Sequence, residues 1–338
     1  MNRSLQSGNN WRQCKGKHLQ HNVVMVALTR CQTLEASRDE MKRCLDRFTE
    51  VLNVNPDEVR VTDQKLGSGA FTGAFVGQWR GMTVAVKKIH DLIADQHNIE
   101  MFKQEIFVCS RLHHPNIMTV CGAVMVEGIP LQMIMELLEG SVSEVITAAH
   151  ASGLYLTIYE QLSIAMDMTS GIAYLHQIRP RPYVHGDIRP SNILVTRDMK
   201  VKVGDLGAAH LIESSLSTGP LSPPYLAPER APRPDGTAAS STLLSDVYSV
   251  GVSLIEIFMG AGPVSELRQT QLDALAGRPN LLMLCSQLIG RHPANRPSAQ
   301  SCFETLKAEI ENLLAAPGVV AVKRRLKGVF DRDTHKNI

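Results

Sequence analysis

The fold of this chain is decided by the stretch Val184-His185-Gly186-Asp187-Ile188-Arg189-Pro190-Ser191-Asn192-Ile193-Leu194. Within it, an aspartate is followed by an arginine two residues later and by an asparagine five residues later. This spacing is the strongest single signal in the sequence. We therefore expect the chemistry of the chain at Asp187, Arg189 and Asn192.

Three more residues stand in a fixed order around this loop. Lys87 ends the stretch Val84-Ala85-Val86-Lys87, Glu105 follows Phe102-Lys103-Gln104, and Asp205 opens Asp205-Leu206-Gly207. Any one of them alone would be a weak signal. Together with the loop, in this order and over this span, they resemble the ATP-binding and catalytic machinery of a eukaryotic protein kinase.

The resemblance covers about residues 58–314. The sequence is similar to the tyrosine-kinase-like group of Ser/Thr kinases in Tyr174-Leu175-His176 and in the proline-containing stretch 179–182. It implies an α+β, bilobal protein-kinase-like fold, with a small antiparallel β lobe that has one main helix and a larger, mainly α-helical lobe. The implied reaction transfers the ATP γ-phosphoryl group, with Mg2+, to a Ser/Thr hydroxyl of a protein substrate in intracellular signalling.

The same resemblance implies a role for each polar residue. Asp187 accepts the hydroxyl proton or orients the hydroxyl, and Lys87 contacts the nucleotide phosphates. Asn192 and Asp205 hold magnesium, while Arg189 neutralises the transferred phosphoryl group. With Glu105 as the partner of the lysine, the expected catalytic set is Lys87, Glu105, Asp187, Arg189, Asn192 and Asp205.

A glycine-rich loop lies between two predicted strands, where glycines let backbone amides approach nucleotide phosphates closely. A dinucleotide-binding fold would need a helix after the glycines, whereas a strand follows here. Backbone groups near Glu136 and Leu138 are expected to bind adenine, and Met135 either guards the back of the pocket or is a core residue. The expected ATP-binding residues are Leu66, Gly67, Ser68, Gly69, Ala70, Phe71, Thr72, Gly73, Ala74, Ala85, Lys87, Met135, Glu136, Leu138 and Leu194.

Three positions depart from the kinase pattern. Thr72 stands where a third glycine is expected, Ala74 where a valine covers adenine, and Gly186 where an arginine anchors a phosphorylated activation loop. We therefore expect activity to depend less on activation-loop phosphorylation, and the departures leave open a pseudokinase-like scaffold or switch with little or no phosphoryl transfer. Tyrosine or dual specificity is disfavoured by Arg189 and Ser222.

Further polar residues are expected to be structural. Asp246, at the start of a predicted central helix, should hold the backbone of the catalytic loop, and Arg296 should pair with Glu229. His185 is expected to pack and not to transfer protons.

Apolar periodicity predicts a strand-rich small lobe followed by a helical large lobe. The predicted strands span residues 59–66, 74–79, 83–89, 118–124 and 131–136. The predicted helices span residues 99–112, 158–178, 243–259 and 281–289.

Four parts are predicted along the chain. They are a disordered leader (1–32), an amphipathic helix (33–55), a protein kinase domain (56–315, with a small lobe 56–138 and a large lobe 139–315) and a short basic tail (316–338). The apolar stripe over residues 33–52 either packs on the domain that follows it or binds a partner helix or a second copy of the chain. The basic run 323–327 is either a solvated tail or a nuclear signal or lipid contact.

Composition narrows the class of protein. A hydrophobic content of 44%, 20% charged residues and a net charge of +2 are typical of an ordered soluble protein without a nucleic-acid partner. Seven scattered cysteines without a Cys-x-x-Cys pair favour a reducing cytoplasm. The apolar runs are too short or too interrupted for a signal peptide or a membrane span. We therefore expect a cytoplasmic chain.

Overall fold

The structure is a computed structural model, and it describes residues 52–68, 72–89, 96–126, 128–208, 210–211, 224–231, 239–260, 272 and 275–316. The predicted leader, nearly all of the predicted helix 33–55 and the tail beyond residue 316 lie outside these ranges. Every element below belongs to the unit that begins at Val54. The predicted domain limits and the partner surface of the helix therefore stay predictions.

The sheet of the small lobe has five antiparallel strands: β1 (Val59–Ser68), β2 (Thr72–Trp79), β3 (Met82–Ile89), β4 (Val120–Val124) and β5 (Gln132–Glu136). Their spatial order is β1-β2-β3-β5-β4. Alternation along β3 sends Val84 and Val86 into the buried apolar cluster of this lobe. Ala85 and Lys87 therefore lie on the opposite face of the sheet.

One helix, α1 (Gln96–Ser110), lies against β4 of this sheet. Its buried side chains include Phe102, Glu105, Ile106 and Cys109, which helical spacing brings to one face. A carboxylate on a buried face needs a partner, because burying a charge without one is costly.

Helices and short strands build the large lobe. The helices α2 (Val142–Ser152) and α3 (Ile158–Gln177) each begin with a capping box, formed by Ser141 with Glu144 and by Thr157 with Glu160. The elements are β6 (Gly140–Ser141), α2 (Val142–Ser152), α3 (Ile158–Gln177), β7 (Tyr183–Val184), β8 (Ile193–Val195), β9 (Val201–Val203), β10 (His210–Leu211), α4 (Leu243–Met259), α5 (Pro279–Leu288) and α6 (Ala299–Ala315).

The hairpin of β8 and β9 carries the polar residues of the large lobe at its ends, with Asn192 just before β8 and Asp205 two residues after β9. The helix α3 supports it from below. A Cβ atom at Gly171 of α3 would lie 2.5 Å from the carbonyl oxygen of Asn116 and 2.8 Å from Cγ2 of Val203. Glycine is therefore required for this close approach, and the approach sets the distance between β9 and α3.

The predicted bilobal α+β fold is confirmed. All five predicted strands are present, and α1 covers most of the predicted helix 99–112. The strands β1 and β2 reach further into the glycine-rich stretch than predicted, because pairing continues through Gly67 with Ala74 and Ser68 with Gly73. Of the helices within the described ranges, none combines the length and the apolar character that a bilayer crossing needs.

Candidate active site

Lys87 joins the two lobes through two carboxylates. Its Nζ lies 2.6 Å from Oε1 of Glu105 on α1 and 3.2 Å from Oδ1 of Asp205, which follows β9. The side chains of Lys87 and Glu105 are 15% and 6% exposed, whereas that of Asp205 is 52% exposed. Three segments that are far apart in sequence therefore meet at one ammonium group.

Electrostatics keep this lysine charged. Burial opposes the charge, but the carboxylates of Glu105 and Asp205 outweigh it and hold the pKa of Lys87 above its ordinary value. The ammonium in turn lowers the pKa of Asp205. Burial raises the pKa of Glu105, and the ammonium acts in the opposite direction. Lys87 and Asp205 are thus a charged pair at neutral pH.

The backbone of Asp205 lies in the left-handed region, with φ of +50°. Aspartate tolerates this region better than most residues with a side chain. The conformation turns the chain directly after β9 and before the short 3-10 turn Leu206–Ala208. A sparsely populated conformation at this position is typical of a functional site.

Asp187 is held by the asparagine of its own loop. Nδ2 of Asn192 donates to the backbone oxygen and to Oδ2 of Asp187, both at 2.8 Å. Nε of Arg189 lies 3.6 Å from Oδ2 of Asp187, which is an ion-pair distance and too long for a hydrogen bond. Asp187 is 8% exposed, and the side chain of Arg189 is 40% exposed.

Asp246, at the start of α4, accepts hydrogen bonds from the backbone of the catalytic loop. Its Oδ2 accepts from the backbone nitrogen of His185 at 2.7 Å, and its Oδ1 accepts from that of Gly186 at 2.9 Å. Nε2 of His176 lies 3.0 Å from Oδ2. Burial opposes ionisation, but His176 and the loop outweigh it and lower the pKa of Asp246.

His185 is fully buried, with its Nε2 3.0 Å from the backbone oxygen of Gly204. It ties the loop to the segment that ends in Asp205. The ring therefore packs between two parts of the site.

Several of the residues expected to bind nucleotide lie on strands of the small lobe, and Leu194 lies on β8 of the large lobe. Ala85 is in register with Met135 on the neighbouring strand β5, and Met135 is 5% exposed. A Cβ atom at Gly67 would meet nothing within 4 Å, so there is open space beside this one position of the glycine hairpin. Gly69, Ala70 and Phe71 lie outside the described residues.

The segment between the lobes is tied down by an ion pair that sequence reasoning missed. Oε1 of Glu136 lies 2.8 Å from Nζ of Lys202 on β9 and accepts from the backbone nitrogen of Thr119 at 2.7 Å. Leu194 lies on β8 beside Gly204, where a Cβ atom would come within 2.9 Å of Leu194 Cδ1. Glu136 is the last residue of β5, and its side chain thus ties the end of this strand to β9 and to the backbone of Thr119.

Comparison with known proteins identifies the family of this chain. Residues 61–305 match the family model of the protein tyrosine and serine/threonine kinases. The chain belongs to this family. The kinase domain is 30% identical over 271 residues to a probable serine/threonine-protein kinase of Dictyostelium discoideum, covering 76% of this chain and 25% of that protein. It is also 31% identical over 223 residues to the dual specificity protein kinase shkC of the same organism, covering 64% of this chain and 42% of that protein.

A third relative is the serine/threonine-protein kinase CTR1 of Arabidopsis thaliana, which is 30% identical over 272 residues, covering 75% of this chain and 32% of that protein. CTR1 is of the tyrosine-kinase-like type, so the predicted similarity to that group is confirmed. The chain spans between a quarter and about two fifths of the length of these three relatives. Proteins of this family generally use ATP and a divalent metal ion and act on proteins.

The expected ion pair between Arg296 and Glu229 is present in the structure. Nη1 and Nη2 of Arg296 lie 2.7 and 2.8 Å from the two carboxylate oxygens of Glu229, which gives the expected pair in bidentate form. Ser222 lies outside the described residues.

Arg230 was not predicted to belong to the site. It is 4% exposed, and its Nη1 donates to the backbone oxygen of Gly186 at 3.2 Å. The two residues are 44 positions apart, and no short motif joins them. The only sequence signal was indirect, namely the missing arginine at position 186.

Proposed function

We propose that this chain is a Ser/Thr protein kinase that transfers the γ-phosphoryl group of ATP to protein hydroxyls with Mg2+. The observation that carries the proposal is the contact of Lys87 Nζ with Glu105 at 2.6 Å and with Asp205 at 3.2 Å. A buried lysine held between two carboxylates has a fixed position and a permanent charge. Both properties suit a group that orients nucleotide phosphates.

Asn192 and Asp205 would hold the magnesium ion. The donor set fits, because Mg2+ takes oxygen ligands and is usually bound through one or two carboxylates together with phosphate oxygens. Both hydrogen bonds of the Asn192 amide use its nitrogen, so its oxygen remains available as a ligand. Among the described residues there is no group of three or more His, Cys, Asp or Glu that could hold a metal by itself. When bound, the ion neutralises charge on the phosphates.

Asp187 would orient the substrate hydroxyl and accept its proton. The bond from Asn192 fixes Oδ2, so the other carboxylate oxygen can face the hydroxyl. Arg189 would neutralise the transferred phosphoryl group from a half-exposed position. Asp246 positions both residues through the backbone amides at 185 and 186.

The preference for serine and threonine is supported by the relatives, two of which are serine/threonine-protein kinases by name. Another relative is a dual specificity kinase, so tyrosine must be tested directly. We further propose that the chain works in the cytoplasm.

The test is magnesium-dependent transfer of labelled γ-phosphate from ATP to a generic Ser/Thr substrate. Asp187→Asn is expected to lower the rate by about 10²–10⁴-fold, the range for loss of a positioned acid–base group. Lys87→Ala is expected to lower it by about 10²–10³-fold, the cost of one donor that stabilises the reacting charge. Two matched controls should retain the rate. Lys88→Ala removes the neighbouring lysine, which lies on the other face of β3 over Phe75, and Asp198→Asn changes an exposed carboxylate beyond β8.

The outcomes separate the candidate functions. Collapse in both variants, with activity in both controls, would support the kinase. Absence of transfer by a folded wild-type chain, with or without ATP binding, would favour the scaffold. Matched peptides with serine, threonine or tyrosine as the acceptor decide specificity, and transfer to the tyrosine peptide alone would contradict the proposal.

A further inference from the structure

The small-lobe sheet carries an apolar cluster on the face opposite Lys87, which we call the outer face. Its members from the strands are Val84, Val86, Val124 and Ile134. The fifth member, Val54, precedes β1 and is 5% exposed. The outer face is therefore a second apolar surface of this sheet, separate from the side on which the catalytic lysine lies.

The margin of this cluster is also apolar and only partly buried. It consists of Val59, Val61, Trp79 and Cys121. Among the described residues, no helix contributes a side chain to the cluster or to its margin. An apolar sheet face is stable only when another layer of structure packs on it. The outer face therefore needs a layer that the described elements do not supply.

Val54 shows from which direction the chain reaches this face. Its backbone nitrogen donates to the carbonyl oxygen of Ala123 on β4 at 2.8 Å, and its side chain lies in the cluster. The chain is thus fixed to the sheet at residue 54. Leu52, the last apolar residue of the stripe predicted over residues 33–52, lies only two positions earlier.

The predicted stripe matches the outer face in length and in character. Its apolar residues are Leu34, Met41, Leu45, Phe48 and Leu52. A helix of this length is about 30 Å long. Five strands about 4.8 Å apart span about 20 Å, so a single helix can cross the whole sheet.

The short connection favours the chain's own segment over any other occupant. Only Asn53 separates Leu52 from Val54. A tether this short gives the segment an effective concentration in about the millimolar range at the outer face. A second copy of the chain at a micromolar concentration would have to bind about a thousandfold more tightly to take its place.

We propose that residues 33–52 dock through their apolar stripe on the outer face of the same chain and complete the core of the small lobe. The surface that receives them is the cluster around Val54 together with its margin. The inference does not depend on the proposed kinase function, because its test measures the accessibility of one side chain.

The reporter is Cys121, which lies at the margin of the cluster. The full chain is treated with iodoacetamide, and the alkylation rate of Cys121 is followed by mass spectrometry of its peptide. Phe48→Asp places a charge in the stripe, whereas Phe48→Leu keeps the position apolar. Arg43→Asp is the matched control, because position 43 lies about 140° around a helix from position 48.

Phe48→Asp is expected to raise the alkylation rate of Cys121 about tenfold, since burial of one phenylalanine contributes at least this factor to a docking equilibrium. Phe48→Leu and Arg43→Asp should stay close to the wild type. Cys109 on α1 has no exposed surface and reports unfolding of the lobe, so its alkylation should stay slow in every chain. Light scattering should give the mass of a monomer throughout.

Two results would overturn the proposal. The first is equal alkylation of Cys121 in the wild type and in Phe48→Asp. The second is alkylation of wild-type Cys121 that becomes faster on dilution while a dimer dissociates, which would assign the outer face to a second copy. If Phe48→Asp also exposes Cys109, the smaller change Phe48→Ala decides by the same measurement.

Discussion

Lys87 and Glu105 are bound to each other across the gap between β3 and α1, with Nζ 2.6 Å from Oε1 and both side chains largely buried. Glu105→Gln keeps the shape of the side chain but removes its charge. Lys87 would then be drawn toward Asp205, 3.2 Å away, and leave its position. We expect kcat/KM to fall by about a hundredfold, the effect of a misplacement of about 1 Å at a catalytic centre.

The matched control is Glu100→Gln on the same helix, since Glu100 is 58% exposed and lies 3.7 Å from Lys103. Steady-state kinetics at saturating magnesium compare the two variants. Equal activity of Glu105→Gln and wild type would show that the pair does not position the lysine.

Asp246 connects a large-lobe helix to the catalytic loop through two backbone amides. Asp246→Asn replaces one acceptor oxygen with an NH2 group, which cannot accept from an amide N–H. The variant should lose about 1–3 kcal/mol of unfolding free energy, the cost of an unsatisfied buried group. Amide hydrogen exchange at His185 and Gly186 should become faster, as measured by mass spectrometry.

Asp198→Asn changes an exposed carboxylate and should alter neither quantity. Unchanged exchange at both amides in Asp246→Asn would contradict the assigned role of Asp246.

Arg189 lies 3.6 Å from Asp187 and is 40% exposed, so its charge and not a hydrogen bond to the aspartate is expected to matter. Arg189→Lys keeps the charge and should retain activity within about tenfold, whereas Arg189→Ala should lose about 10²–10³-fold, the cost of one stabilising donor. Initial rates of phosphoryl transfer measure both effects. Arg197→Ala, at an exposed position beyond β8, is the control, and equal losses in Arg189→Lys and Arg189→Ala would contradict a role for charge.

The local pattern of apolar and polar residues was sufficient to predict those strands and helices in which side chains of one kind recur at short, regular intervals. Alternation over Val84 to Lys87 predicts both the strand and the face of the lysine, because side chains alternate across any strand. The order of short motifs brought Lys87, Glu105 and Asp205 to one site, although it could not give their distances.

Two helices of the large lobe were not predicted as separate elements. The helix α2 begins with Ser141 and Glu144, which form a capping box, so its start was visible in the sequence. The helix α6 begins after Ser298, whose side chain accepts from the backbone nitrogen of Ser301. Both signals are only a few residues long, and neither helix has the long apolar periodicity of α3 or α4.

Contacts between distant segments that belong to no recognised motif could not be predicted. Arg230 and Gly186 are 44 residues apart, and Glu136 and Lys202 come from different lobes. Neither pair has a spacing that a helix or a strand would impose, because only the folded chain brings them together.

Glu229 and Arg296 form a bidentate ion pair in which Arg296 is fully buried and the side chain of Glu229 is 27% exposed. Glu229→Gln should lower the unfolding free energy at pH 7 by about 3 kcal/mol, the lower end for one-sided loss of a buried pair. The lower end applies because the amide oxygen can still accept one hydrogen bond. Chemical denaturation measures the change.

The same pair predicts a dependence on pH. Burial opposes ionisation of Glu229, but the hydrogen bonds and charge of Arg296 outweigh it and lower the pKa of Glu229. Because the folded pKa is depressed, the stabilisation is complete above the unfolded pKa of about 4.3 and is lost as pH falls through the lower folded pKa. The difference between wild type and Glu229→Gln should therefore be constant from pH 7 to about pH 5 and shrink below it.

The control for this pH series is Glu58→Gln, whose partner Arg80 is 62% exposed. Exposed pairs contribute little, so this variant should follow the wild type closely. A difference for Glu229→Gln that stays constant down to pH 3 would mean that the charge of Glu229 does not stabilise the fold. The stability of the large lobe would then come from the other bonds of Arg296, to the backbone oxygens of Gly290 and Leu244, both at 2.8 Å.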